Sequence, residues 1–124
     1  TPLARIVSTG VSGLSPEIMG LGPIEAVRKA LRIAGMAISD IDLYEINEAF
    51  AVQVLGSARE LGMDLDKLNV SGGAIALGHP FGMTGARITT TLLNNLTAND
   101  KTLGIESMCV GGGQGMAMVL ERLS

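Results

Sequence analysis

The fold of this chain is decided by the stretch Gly72-Gly73-Ala74-Ile75-Ala76-Leu77-Gly78-His79-Pro80-Phe81-Gly82-Met83-Thr84-Gly85-Ala86-Arg87. It holds five glycines and the only histidine of the sequence. We interpret it as the end of a buried strand, a tight turn and a helix that begins at Pro80, because proline suits the first helical position. His79 would then lie at a helix N-terminus, where the macrodipole favours a neutral imidazole that can accept or donate a proton. The alternative is a buried histidine that only caps the helix.

Composition excludes several classes of protein. The 124 residues are 47% hydrophobic and 17% charged, which indicates a single domain, residues 1–124, with an extensive core. The net charge of −3 and the few aromatic residues argue against a nucleic-acid partner. No apolar run is long enough to span a membrane, no secretory signal is visible, and no residues have metal-ligand spacing. We therefore expect a protein of the cytoplasm or another intracellular compartment, without a metal.

Strands and helices alternate along the chain. The hydrophobic patterns predict strands at 4–11, 43–46, 69–71, 102–108 and 116–120, and helices at 23–34, 48–61 and 80–96. The order βαβαβαββ predicts an α/β domain in which helices cover a mixed, mostly parallel five-stranded sheet.

Three chemically capable residues follow separate predicted strands. Asn47 follows the second strand, His79 the third and Cys109 the fourth. In parallel sheets the ligand crevice lies at the carboxyl ends of the strands. We therefore expect these three side chains to meet at one edge of the sheet.

The three residue types suit one kind of chemistry. Cys109 precedes a glycine-rich turn, 111–115, whose backbone N–H groups can lower the pKa of a thiol and hold a developing oxyanion. The amide of Asn47 can bind an oxygen or position a water, and His79 can move a proton. Together they suit carbanion or enolate chemistry beside a carbonyl. The alternatives are that Cys109 is a small buried hydrophobe and that Asn47 is only the cap of the second helix.

The same turn does not predict a dinucleotide site. Gly111, Gly113 and Gly115 are spaced like a phosphate-binding loop, but a strand-like run follows them. No helix N-terminus is therefore available to a pyrophosphate.

At these residues the sequence resembles the C-terminal half of a thiolase. The blocks that carry the resemblance are Met19-Gly20-Leu21-Gly22-Pro23, Asn47-Glu48-Ala49-Phe50-Ala51, the stretch 72–87 and Cys109-Val110-Gly111-Gly112-Gly113-Gln114-Gly115. They occur in the family's order and cover almost the whole chain. Thr84 stands where serine is commoner in the family.

The resemblance implies an enzyme that cleaves 3-ketoacyl-CoA with coenzyme A or catalyses the reverse Claisen condensation, with coenzyme A as substrate and no cofactor. By this resemblance His79 activates the nucleophilic cysteine and binds the thioester oxygen, and Cys109 is the second acid/base. Asn47 would hold a water that completes the oxyanion site with His79, and the backbone N–H of Gly111 would serve the other oxyanion site.

The nucleophilic cysteine of the family lies in an N-terminal half that this chain does not include. The resemblance implies that this half is a partner, that the isolated chain is inactive and exposes an apolar face, and that the whole enzyme is a dimer or tetramer. An alternative is a non-catalytic thiolase-like module that binds acyl-CoA or a protein. A decarboxylating ketoacyl synthase is disfavoured, because that family has a second histidine where this chain has Cys109.

Overall fold

The sheet has four strands in a computed structural model that describes residues 1–124. These are β1 (Ala4–Gly13), β2 (Leu43–Ile46), β3 (Leu103–Val110) and β4 (Gln114–Arg122). Their order across the sheet is β1-β4-β3-β2. β4 is antiparallel to both β1 and β3, whereas β2 is parallel to β3. The predicted α/β class and mixed sheet are confirmed, but only one of the three strand pairings is parallel.

Four α-helices accompany the sheet: α1 (Gly22–Ala34), α2 (Ala51–Leu61), α3 (Ala74–Leu77) and α4 (Phe81–Ala98). Short 3-10 segments occupy Pro16–Leu21, Ile38–Asp40 and Leu65–Lys67. None of the helices combines the length and the hydropathy that crossing a bilayer requires.

The main core lies between α1 and the sheet. Ile24, Val27 and Leu31 recur at helical spacing on α1 and are buried, as their periodicity predicts. Val27 and Leu31 pack with apolar side chains of the sheet such as Ile105 and Val119. The helix ends where expected, at Gly35, whose left-handed φ of 69° lets its N–H group bond back to the last turn.

The third predicted strand, at 69–71, is wrong, because the side chain of Asn69 and not an extended segment pairs with the outer side of β2. The N–H of Asn69 donates to the carbonyl of Tyr44 at 2.9 Å. Its side chain then pairs with the backbone of Ile46, accepting from the N–H at 2.8 Å and donating to the carbonyl at 2.9 Å. Asn69 itself has a left-handed φ of 48°, which takes the chain away from β2 and prevents an extended run.

α4 crosses the sheet antiparallel to β2 and β3 and so places its N-terminus at their carboxyl ends. A Cβ added at Gly85, in its first turns, would lie 3.4 Å from the Met108 side chain near the end of β3. Later in the helix, Leu92 packs against Gly104 at the start of β3. Residues that precede α4 therefore lie at the sheet edge where β2 and β3 end.

Large apolar side chains at the starts of α2 and α4 face outward. Val52 is 78% exposed and Phe81 is 90% exposed, and Phe50, Leu55 and Ile75 are also exposed. Single exposed apolar residues are ordinary, but several on neighbouring segments are typical of an interaction surface. The apolar face expected for the isolated chain is therefore present in the structure.

Candidate active site

The structure brings Asn47, His79 and Cys109 to one edge of the sheet. Ile46 and Ser107 are register partners on the parallel strands β2 and β3, and the N–H of Asn47 donates to the Ser107 carbonyl at 2.9 Å. Asn47 and Cys109 are thus at the same ends of neighbouring strands. His79 precedes α4 at that edge. None of the three side chains hydrogen-bonds another, so they share an edge and are not a preassembled triad.

Asn47 is fully buried and does not cap a helix. α2 begins at Ala51, four residues later, because the Asn47 N–H still belongs to the ladder with β3. Its Oδ1 accepts a hydrogen bond from Nη2 of Arg87 at 3.2 Å. Its Nδ2 has no hydrogen-bond acceptor in the protein. The helix-cap alternative for this residue is therefore wrong.

His79 is held by a buried hydroxyl. Its Nδ1 lies 2.5 Å from Oγ1 of Thr84, which also donates to the Pro80 carbonyl at 3.1 Å. The ring of Phe81 lies edge-on against the imidazole, with 5.3 Å between the ring centroids. Pro80 is the N-cap of α4, which begins at Phe81, one residue later than predicted, and no side chain caps it. His79 is therefore not a capping residue, and Nε2 is the ring nitrogen left for a reacting partner.

Cys109 is buried at the end of β3, opposite Gly115 of β4. Burial raises the pKa of its thiol, and a backbone hydrogen bond only partly offsets this. The expectation that the glycine turn lowers the thiol pKa is wrong, because loss of hydration disfavours the thiolate more than the backbone stabilises it. At neutral pH the resting group is a protonated thiol.

The turn Gly111–Gly113 joins β3 to β4 and is fixed by the segment that follows β1. Gly113 has a φ of 88°, and a Cβ there would lie 2.2 Å from the Leu14 carbonyl oxygen. The Leu14 N–H donates to the Gly113 carbonyl at 2.8 Å. Gly111 is exposed, and its carbonyl accepts from the Gln114 side chain at 3.0 Å. The turn is thus ordered, with Gly111 accessible at the edge.

A buried cluster of charged residues behind Asn47 was not predicted. Glu45 of β2 and Glu106 of β3 are register partners, and both are buried. Arg87 of α4 donates to Glu45 at 2.8 Å, and Thr89 donates to Glu106 at 2.8 Å. The sequence signal that could have indicated this cluster was a glutamate inside each of two largely apolar strands, β2 and β3.

Burial raises the pKa of Glu45 and of Glu106 to about 7 each. The positive charge of Arg87 opposes the shift in both, and it also donates a hydrogen bond to Glu45. Loss of hydration is nevertheless the dominant cause for each carboxyl. Both groups therefore titrate near neutral pH in the folded protein.

Comparison with known proteins decides the family. The family model of the thiolase C-terminal domain matches residues 1–122. The chain belongs to the thiolase family. The resemblance carried by the blocks at 19–23, 47–51, 72–87 and 109–115 is thereby confirmed.

Individual thiolases are similar over the same region. The acetyl-CoA acetyltransferase of Escherichia coli (strain K12) is 58% identical over 124 residues, which are all of this chain and 32% of that protein. The 3-ketoacyl-CoA thiolase of Chromohalobacter salexigens is 57% identical over 126 residues, with 98% of this chain and 32% of that protein covered. The chain thus spans about a third of the length of these thiolases.

Solved thiolase structures superpose closely. The Bacillus anthracis acetyl-CoA acetyltransferase matches with a TM-score of 0.97 and 50% identity, over 99% of this chain and 31% of that one. The human mitochondrial 3-ketoacyl-CoA thiolase in complex with CoA gives the same score and identity, over 100% of this chain and 32% of that one. The fold is therefore that of a thiolase C-terminal domain.

Proposed function

We propose that this chain is the C-terminal catalytic part of a thiolase that transfers an acyl group to coenzyme A. The reaction is thiolytic cleavage of a 3-ketoacyl-CoA or the reverse Claisen condensation, with coenzyme A and acyl-CoA as substrates and no further cofactor. The observation that carries the proposal is the placement of Asn47, His79 and Cys109 at the same end of β2 and β3, beside an ordered glycine turn.

In this mechanism His79 accepts the proton of a nucleophilic cysteine supplied by an N-terminal part. The resulting thiolate attacks the 3-keto carbonyl, and the bond between C2 and C3 breaks. The leaving acetyl-CoA enolate takes a proton from the Cys109 thiol, which is the protonated form that burial favours. Coenzyme A then gives its thiol proton to the Cys109 thiolate and attacks the acyl-enzyme. The bond between the acyl group and the nucleophilic cysteine breaks, the shortened acyl-CoA leaves, and the cysteine thiolate takes its proton back from His79.

Two groups of hydrogen-bond donors stabilise the oxyanions that form in these reaction steps. Nε2 of His79 and a water held by Asn47 bind the thioester oxygen, and the backbone N–H of Gly111 binds the other. Removal of one such donor costs an enzyme about 10²- to 10³-fold in kcat.

The proposal requires partners. The nucleophile comes from an N-terminal thiolase part, and the exposed apolar starts of α2 and α4 suit a surface that such a part covers. We further propose that the complete enzyme is a dimer or tetramer. Because its substrates are coenzyme A thioesters, we place it in the cytoplasm or another intracellular compartment.

The test is an assay of acetoacetyl-CoA thiolysis with three preparations. These are the chain alone, the chain mixed with the remaining part of the Escherichia coli acetyl-CoA acetyltransferase, and a chimera. In the chimera this chain replaces the aligned 124-residue segment of that relative. We expect no activity from the chain alone and activity from the chimera that is lost with Cys109→Ala. A folded but inactive chimera that still binds acyl-CoA would favour a non-catalytic binding module instead.

A further inference from the structure

One guanidinium group connects a buried carboxylate to the candidate catalytic amide. Nη1 of Arg87 donates to Oε1 of Glu45 at 2.8 Å, and Nη2 donates to Oδ1 of Asn47 at 3.2 Å. The side chain of Glu45 is 1% exposed and that of Arg87 is 10% exposed. The contact joins α4 to the end of β2, so the three residues lie in one row from the core to the sheet edge.

The row dictates which way the Asn47 amide points. A guanidinium carries only donors, so the amide atom that faces Arg87 must be the acceptor Oδ1. The planar fork of arginine fixes both of its contacts in one plane. Nδ2 is then directed away from Arg87, and this buried N–H group has no acceptor in the protein. A buried donor without a partner is costly and is typical of a functional site.

The Glu45–Arg87 pair has no evident value for stability alone. Both groups lose their hydration, and a buried ion pair is on average no more stabilising than apolar residues of similar volume. Oε2 of Glu45 and Nε of Arg87 also lack protein partners, so the pair is not fully satisfied. What the pair does provide is a fixed guanidinium at the end of β2.

We propose that Arg87, held by Glu45, is a positioning residue that fixes the Asn47 amide so that Nδ2 is presented as a hydrogen-bond donor to the oxygen of the bound thioester or to the water that bridges to it. The inference rests on the proposed function. It adds that Arg87 acts through Asn47 and not by contact with the substrate.

A double-mutant cycle in the active chimera tests this dependence. Asn47→Ala should lower kcat by about 10²- to 10³-fold, since a donor is lost. Arg87→Lys keeps the charge beside Glu45 but cannot reach both partners, and it should lower kcat by about 10- to 100-fold because the donor is misplaced. KM for acetoacetyl-CoA should stay within about twofold. The double variant should be no slower than Asn47→Ala alone.

A matched control is Arg59→Lys, since Arg59 is an exposed arginine in the last turn of α2. It should leave kcat unchanged. If the effects of Arg87→Lys and Asn47→Ala multiply in the double variant, Arg87 does not act through Asn47 and the inference is overturned.

A second measurement does not depend on activity. In NMR spectra of the 124-residue chain, the Nδ2 resonances of Asn47, assigned by their loss in Asn47→Ala, should be resolved and slow to exchange. Arg87→Lys should broaden or shift them, while Arg59→Lys leaves them in place. If the Arg87→Lys variant does not fold, Glu45→Gln takes its place in the test and should also broaden or shift the Asn47 resonances. Unchanged Asn47 resonances in a folded variant would overturn the inference, whereas an inactive wild-type chimera would overturn only the proposed function.

Discussion

The hydroxyl of Thr84 and the imidazole of His79 form one hydrogen-bonded unit, with 2.5 Å between Oγ1 and Nδ1. When that hydroxyl gives its proton to the Pro80 carbonyl, it can accept the proton of Nδ1. That arrangement corresponds to the tautomer with its proton on Nδ1 and an unshared pair on Nε2. A ring in this tautomer is ready to accept the proton of a thiol that approaches Nε2.

Replacement of this hydroxyl should slow the reaction without loss of the fold. Thr84→Val keeps the shape of the buried side chain and removes the acceptor for Nδ1, so we expect kcat of the chimera to fall by about 10-fold or more. Thr84→Ser restores the hydroxyl and should retain most of the activity. The measurement is steady-state thiolysis of acetoacetyl-CoA beside the thermal midpoint of each variant. Equal kcat values for the valine and serine variants would contradict the role of Thr84.

Cys109 should react slowly with thiol reagents in the folded chain. The side chain is buried and its pKa lies above the ordinary range for cysteine, so little thiolate is present at pH 7. We expect the rate of modification by a disulfide reagent to keep rising well above about pH 8.5, the usual pKa of a free thiol, where the rate of a model thiol levels off. In urea the same cysteine should react at the rate of a model thiol, which is the control. A rapid reaction of the native chain at pH 7 would contradict this prediction.

The stability of the chain should fall as the pH rises from about 5 to 8. Glu45 and Glu106 have pKa values of about 7 in the fold against 4.5 for an ordinary glutamate. Between those values the folded chain holds protons that the unfolded chain releases. The stability that these two carboxyl groups contribute is therefore fully present below pH 4.5 and is lost as the pH rises through 7. Within this window, each proton that only the folded chain holds lowers the stability by about 1 kcal/mol for each unit of pH increase.

Urea unfolding at four pH values measures this dependence. The unfolding midpoint should decrease steadily towards pH 8 in the wild type, and Glu106→Gln should flatten the decrease. Asp42 has a lowered pKa, so its contribution is lost only in stronger acid and leaves this window unaffected. A midpoint that rises with pH would show that Arg87 outweighs burial at both carboxyls.

The isolated chain should self-associate through the apolar side chains at the starts of α2 and α4. Size-exclusion chromatography over a range of concentrations should show a shift to larger species. Val52→Lys should reduce it, since Val52 is 78% exposed and its replacement costs no core packing. Glu60→Lys, on the distal and polar end of α2, is the matched control. A monomer that persists at high concentration would contradict the prediction.

Local patterns in the sequence were enough to predict much of the fold. Ile24, Val27 and Leu31 define α1 because helical periodicity reports burial of one face, and Gly35 marks its end because it adopts a left-handed φ. The strand at 69–71 could not be predicted correctly, because the Asn69 side chain pairs with a residue 23 positions away. Nothing in the local sequence distinguishes such an asparagine from a strand residue.

The difference between local patterns and contacts over long sequence distances also applies to the candidate site. Asn47, His79 and Cys109 were found because each was placed after a predicted strand and occupies a family motif. The structure differs in detail, since α3 and not a strand comes before His79, and Cys109 lies within β3. Arg87 was quoted in the opening stretch without a role, since its contact with Glu45 joins residues 42 positions apart. A buried ion pair between a helix and a strand becomes visible only when the two elements are packed.

Asn69 has a consequence for the solubility of the fold. β2 is the outermost strand of the sheet, and its outer side would otherwise offer free N–H and carbonyl groups to any extended chain. The Asn69 amide occupies both backbone groups of Ile46, and the Asn69 N–H occupies the carbonyl of Tyr44. Asn69, whose backbone is left-handed, thereby blocks the hydrogen-bonding groups with which a strand from another chain could pair. It also prevents incorrect strand pairing at the carboxyl end of β2, next to Asn47.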